Sequence, residues 1–169
     1  MPGPGACPSA RVLLPLLWLL AGCLPAAAQV RPAPAPRPLP ATAALFAAHC
    51  AGCHGDKGRS VREFPTLAGR IGYFTLLPAG RAYLVQVPGV ALSTLDDAQV
   101  ADVMNWLLRN YSGEQLAPDF TPYTRDEVAA LRRERINPWA VRAQVVRALV
   151  QEGLLPSDDA LASEPLKLY

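Results

Sequence analysis

Histidine, methionine and net charge are what this chain has least of. Its 169 residues hold two histidines and two methionines, with four cysteines. A structural zinc site needs four N or S ligands. Cys7 and Cys23 lie near the N-terminus, so the Cys50, Cys53 and His54 cluster has only His49 to complete such a set. Sixteen basic residues against fourteen acidic ones leave a formal charge of +2. No clustered basic footprint stands out, which argues against nucleic-acid binding, and so small a net charge gives little long-range steering. No stretch after residue 28 approaches the roughly eighteen uninterrupted apolar residues of a transmembrane helix, so no spanning segment is expected. Nucleophile–base constellations and phosphate-cradling glycine loops are missing as well, and the chain does not read as an enzyme.

Proline, by contrast, is plentiful at eighteen residues. The N-terminus accounts for part of it. Arg11 precedes a short apolar run, Val12 to Leu20, followed by small residues, which is the pattern of a secretory signal over residues 1–28. The run is too short for a standard membrane span. Ala26, Ala27 and Ala28 before Gln29 suit a small-residue cleavage site. The run Leu20-Ala21-Gly22-Cys23 also resembles a lipobox, in which lipid on Cys23 would anchor the chain to a membrane. Either cut gives an exported protein. Residues 29–40 alternate proline with alanine, arginine and valine, a composition that favours an extended spacer of roughly 3 Å per residue over any core.

The chemistry is concentrated in Cys50-Ala51-Gly52-Cys53-His54. C-x-x-C-H marks a haem held by two thioethers. Two cysteines one helical turn apart can each bond one vinyl group, and the adjacent histidine turns its imidazole under the iron as proximal ligand. A redox dithiol shares the pattern, but needs a β-branched strand before it and an activated thiolate at a helix N-terminus. The preceding Ala41 to His49 is alanine-rich and helical in pattern. Haem attachment is therefore preferred, with the dithiol and a zinc knuckle as the rival readings.

The run Leu45 to Gly55 resembles the opening of a class I-like bacterial cytochrome c. Phe64-Pro65-Thr66-Leu67-Ala68-Gly69 is similar to the loop below the haem in that family, and Leu95 to Leu108 to its last helix. The resemblance covers about residues 41–112. It implies an all-α, small cytochrome c-like haem domain with one covalent haem c, attached through Cys50 and Cys53. His54 would ligate the iron, and the Pro65 carbonyl would accept the hydrogen of its far nitrogen, fixing the tautomer. The first helix is expected from a Thr42 cap to His49, with Phe46 one turn before Cys50 and Trp106 crossing near it. A short helix is expected around Gly80 to Gln86, in an apolar stretch (Tyr73, Phe74, Tyr83, Leu84, Val85, Val87) walling the haem. The strongest helix should run from Leu95 to Asn110, capped by Thr94.

Electron-transfer members of that family commonly supply a methionine as second axial ligand from the loop before the last helix. Here that loop reads Val87-Pro88-Gly89-Val90-Ala91-Leu92-Ser93. Met104, the one methionine left after the leader, lies inside the helix, where packing suits it better than ligation. His49 is held on the attachment side and reads as a surface residue; Lys57, Tyr73 and Tyr83 remain conceivable ligands, and so does an open site. Two functions follow. The first is a periplasmic monohaem electron carrier from a dehydrogenase to a respiratory acceptor, or an electron-transfer subunit of a dehydrogenase. The alternative is a haem protein whose open distal site binds a small ligand or reacts with peroxide, although no distal histidine is available to assist.

The haem domain is taken as 41–113 and a helical C-terminal extension as 114–156. Residues 118–122 with Tyr123 form a strap, a helix runs from Thr124 to about Arg135, and another from Asn137-Pro138 to about Glu152. These helices either clasp the haem domain and enlarge a small core or dock a partner through Arg132, Arg133, Arg135, Arg142 and Arg147 on exposed faces. Residues 157–169 read as a polar tail.

Overall fold

The computed structural model describes residues 41–60, 64–157, 159 and 161. The leader, the proline-rich spacer and Cys23 lie outside the described residues. Among these there is no strand, and no helix is long and apolar enough to cross a membrane.

Helix α1, Ala41–His49, leads within one residue into α2, Ala51–His54. Thr42 lies inside α1 rather than capping it, and Ala43 and Phe46 are the buried members of the helix. A loop then reaches a 3-10 helix, Ile71–Leu76, followed by α3, Pro78–Gln86, and a single turn, α4, Pro88–Ala91. Both α3 and α4 begin with proline at the first helical positions, where the missing N–H costs nothing.

The longest helix, α5, spans Asp97–Tyr111. Its cap is Asp96, not Thr94. The Asp96 Oδ1 accepts from the Gln99 N–H at 2.8 Å, and Gln99 Oε1 accepts from the Asp96 N–H at 3.0 Å. This reciprocal box needs an amide or carboxyl side chain three residues after the cap; Gln99 stands at that distance from Asp96 and closes it. Helix α1 packs on α5. At the crossing Phe46 lies 5.4 Å from Trp106 and 5.3 Å from Tyr111, ring centre to ring centre.

Helices α6, Arg125–Leu131, and α7, Pro138–Gln151, make up the extension. Helix α6 packs on α5 and α3, and α7 on α3 and the 71–76 turn, so both helices rest on elements of residues 71–111. Thr124 caps α6 and Asn137 caps α7, its Oδ1 accepting from the Trp139 and Ala140 N–H groups, each at 3.1 Å. α6 stops four residues short of the expected Arg135. Tertiary bonds override helix propensity there: Glu134 accepts from the Gln86 amide at 2.6 Å, and Arg132 turns onto the segment before α5. The strap is ordered by Arg81, which pairs with Glu127 through two bonds of 2.6 and 2.8 Å and donates to the Thr121 carbonyl at 2.7 Å. Beneath it, buried Tyr123 donates its hydroxyl to the Arg81 carbonyl at 2.7 Å.

The arginines of the extension divide. Arg133, Arg135 and Arg147 lie toward solvent, but Arg132 is half-buried and Arg142 is buried. The tail also departs from its polar reading at Leu161, which is 2% exposed. Asp159 makes the turn that sends it inward, accepting from the Leu161 N–H at 2.7 Å while its own N–H donates to Pro156 at 3.0 Å.

Candidate functional site

Between these helices lies a cavity of about 400 Å³, within the ~300–1,000 Å³ usual for cofactor sites. The turn joining α1 to α2 brings Cys50, Cys53 and His54 to one of its walls. Cys50 and Cys53 are not bridged to each other. Burial, with help from the neighbouring Cys53, pushes the Cys50 thiol up in pKa. That is the reverse of the lowered pKa a redox dithiol needs at its attacking cysteine. The absence of strands among the described residues removes the βαβ frame as well. No group of three or more His, Cys, Asp or Glu able to hold a metal ion occurs among the described residues, which disposes of the zinc knuckle there.

His54 is set by the loop that follows it. Gly55 takes φ +71°, and a Cβ there would strike the Arg59 carbonyl, so the reversal after His54 requires glycine. Farther along, the Leu67 and Ala68 N–H groups donate to Gly58 at 2.8 and 3.0 Å, and Gly69 donates to Tyr111 at 2.7 Å. These bonds tie the loop to α5. They hold the Pro65 carbonyl 2.9 Å from His54 Nδ1. A carbonyl can only accept, so Nδ1 carries the hydrogen and Nε2 keeps its lone pair for a metal. Burial lowers the pKa of the imidazole, while the bond to Pro65 works in the opposite direction; the ring stays neutral, as a ligand must.

The remaining walls are apolar. Phe74, Tyr83 and Leu84 contribute from the 71–76 turn and α3, and Val100, Val103 and Met104 from α5. Tyr73 and Val85, expected among the walls, do not line the cavity. Met104 is 3% exposed. His49 is exposed and sits at the rim. The segment expected to supply a methionine offers Val87, Pro88, Gly89, Val90 and Ser93 instead. Arg132 fastens this segment from the end of α6, donating to the carbonyls of Ala91, Ser93 and Leu95 and to the Asp97 carboxylate.

A profile of the cytochrome c family matches residues 41–73, which contain Cys50, Cys53, His54 and Pro65. Over 123 residues the chain is 28% identical to cytochrome c-552 of Thermus thermophilus, covering 62% of this chain and 94% of that protein. A cytochrome c-552 from a named strain of the same organism is likewise 28% identical over 123 residues, covering 62% of this chain and 83% of the relative. These matches support the cytochrome c family for this chain. Its all-α fold and a single covalently attached haem c come with that family, whose members are electron-carrying haem proteins.

The residues of this chain suit that group. The cavity is apolar, as a porphyrin requires, and its wall pairs two thiols with a neutral imidazole. Ser93 Oγ, in the cavity wall, is buried and has no hydrogen-bond partner. Trp139, Arg142 and Leu161 also line the cavity, and sequence reasoning missed all three as site residues. One signal was available. Arg142 falls in the same helical stripe as Trp139, Val145, Val146 and Leu149, and a cation inside an apolar stripe points to burial.

Proposed function

We propose that this cytochrome is a periplasmic single-haem carrier passing electrons from a dehydrogenase to a respiratory acceptor. Cys50 and Cys53 form the thioethers, His54 Nε2 ligates the iron, and Pro65 holds the imidazole through Nδ1. The observation that carries the reading is the 2.9 Å bond from His54 to Pro65, made on the same cavity wall as the two thiols. When bound, the haem supplies a one-electron couple at iron. The chain's part is to orient the ligand, to raise its basicity through Pro65, and to exclude water with the α5 and α3 side chains. Low dielectric around the iron is one lever on its potential. An exported state is supported by the leader pattern of residues 1–28, with lipid on Cys23 as the form in which the chain would be membrane-attached. A redox titration of the purified holoprotein tests the carrier role. Reversible one-electron cycling, and reduction by a dehydrogenase-containing periplasmic extract, are expected; irreversible bleaching on each cycle would contradict it.

A second reading, a ligand-binding haem, is favoured by one observation. The 87–93 segment carries no nitrogen or sulfur ligand into the cavity, and its Ser93 hydroxyl there is unpartnered. That hydroxyl suits a small molecule at an open sixth position. Carbon monoxide separates the two readings: rapid binding by the ferrous protein supports the open site. Refusal of carbon monoxide that is relieved in Met104→Ala identifies Met104 as the ligand and removes the second reading.

A further inference from the structure

The cavity wall is thinnest at residues 87–93. Val87, Pro88, Gly89, Val90 and Ser93 line the cavity. Pro88 and Gly89 are exposed as well, and Leu92 beside them is 65% exposed. One layer of chain therefore separates cavity from solvent. Its regular structure is the single turn α4, closed by short-range bonds such as Ala91 N–H to the Val87 carbonyl at 2.8 Å and Leu92 N–H to Pro88 at 3.0 Å. A lone helical turn is unstable without tertiary support, because nucleation fixes several residues for each bond gained.

Much of that support comes from the turn that ends α6. Arg132 Nε donates to the Ala91 carbonyl, Nη2 to that of Ser93, and Nη1 to that of Leu95 and to the Asp97 carboxylate. Two residues on, Glu134 accepts from the Gln86 amide at 2.6 Å, and buried Gln86 directly precedes Val87. A single turn thus grips the wall segment at both ends. The grip is firmly mounted: α6 packs on α5, and the carbonyl of its buried Val128 accepts from the Arg132 N–H at 3.0 Å. Arginine suits the task, since its five N–H groups can serve several acceptors at once where lysine has three.

We propose that Arg132 and Glu134 are positioning residues that hold residues 87–95 closed over the cavity, so that the extension sets how readily small neutral ligands enter it. This rests on the haem reading given above. Neither residue lines the cavity; both act through the segment they grip. Entry then follows local opening of that segment, one of the low-energy motions a fold permits without unfolding as a whole. The ligand class follows from the wall, whose side chains are mostly apolar and would penalise a charged molecule passing between them.

The test uses holoprotein and four chains: wild type, Arg132→Gln, Glu134→Ala and, as control, Tyr123→Phe, which removes a hydrogen bond made elsewhere, to the Arg81 carbonyl. Covalent haem is read first by alkaline pyridine spectrum. A wild type without it would sink the haem reading itself; full haem in all four leaves only the positioning assignment under test. Native-state hydrogen exchange should show the amides of Ala91, Leu92 and Ser93 exchanging about thirty-fold faster in Arg132→Gln and about fivefold faster in Glu134→Ala. Association of carbon monoxide with the ferrous protein should rise by similar factors. Tyr123→Phe should lower the melting temperature and move neither readout. Unchanged exchange at these amides would overturn the proposal. Faster exchange with unchanged carbon monoxide association, including refusal by every chain, would overturn it too, since the segment would then move without governing entry. So would equal acceleration in Tyr123→Phe, which would mark Arg132 as a residue of general stability. Should Arg132→Gln fail to accumulate, Glu134→Ala decides by the same criteria.

Discussion

Replacing Arg132 by glutamine should loosen the wall of the cavity from a residue that does not line it. Arg132 donates to the carbonyls of Ala91 at 3.3 Å, Ser93 at 2.8 Å and Leu95 at 3.0 Å, and to Asp97 at 2.8 Å. Its side chain is 14% exposed and that of Asp97 35%. The ion pair itself, open on the Asp97 side, is worth only about 0.5 kcal/mol. The three carbonyls matter more. Each loses a charge-assisted donor, and at about 1 kcal/mol apiece the loss approaches 3 kcal/mol. A glutamine amide is shorter and can replace one of them, leaving about 2 kcal/mol. For a domain of this size that corresponds to a fall of roughly 6–8 °C in melting temperature. Circular dichroism at the helical band and absorbance at the Soret band should fall together. Leu95 is buried, and the segment it ends supplies Val87, Val90 and Ser93 to the cavity. A change under about 2 °C, on the same scaling, would refute the reasoning, since it would mean that water replaces the guanidinium at no cost.

Other positions give equally direct tests. Gly80→Ala should destabilise by about 2 kcal/mol or more, because a Cβ there strikes the Phe74 backbone carbonyl across the α3 contact; a wild-type melting temperature would contradict this. Tyr123→Phe removes the 2.7 Å bond to the Arg81 carbonyl, at a cost of about 1 kcal/mol in thermal melts at neutral pH. The same residue sets an alkaline limit. Burial pushes the Tyr123 phenol up, Arg81 opposes the shift and Glu127 adds to it. A raised folded-state pKa gives stability that is complete below the unfolded value of about 10 and is lost as pH climbs beyond it. Stability of the wild type should therefore fall above about pH 10, and more gently in Tyr123→Phe. Equal alkaline slopes in the two proteins would refute that assignment.

Legibility in the sequence followed the range of the interaction. Cys50, Cys53 and His54 are adjacent in the chain, so their joint place on one cavity wall could be read from spacing alone. Pro65 required the family resemblance, since a carbonyl acceptor leaves no mark of its own. For α5 the sequence points to Thr94 as the cap, and the structure uses Asp96 instead. The choice was made by Gln99, whose side chain answers Asp96 and not Thr94. The extension was least legible. Its helices announced themselves through Asn137-Pro138 and an apolar stripe, but whether arginines on them face water or a cavity depends on which face meets α3. That contact joins residues roughly sixty positions apart along the chain, and no local pattern encodes it. Arg142 was therefore read as exposed and Leu161 as solvated, and both proved to be buried.

The central claim is that Cys50 and Cys53 carry the haem and His54 holds its iron. Acid–acetone extraction followed by the alkaline pyridine spectrum tests it most directly, on wild type and on the Cys50→Ala, Cys53→Ala and double variants, all expressed with haem-attachment machinery. Wild type should retain its pigment through extraction. Each single variant should keep one thioether at most and show the red-shifted spectrum of a haem with an unreacted vinyl, and the double variant should release everything. Wild-type chain that gives up its pigment to acid–acetone, or a double variant that retains it, would contradict the account.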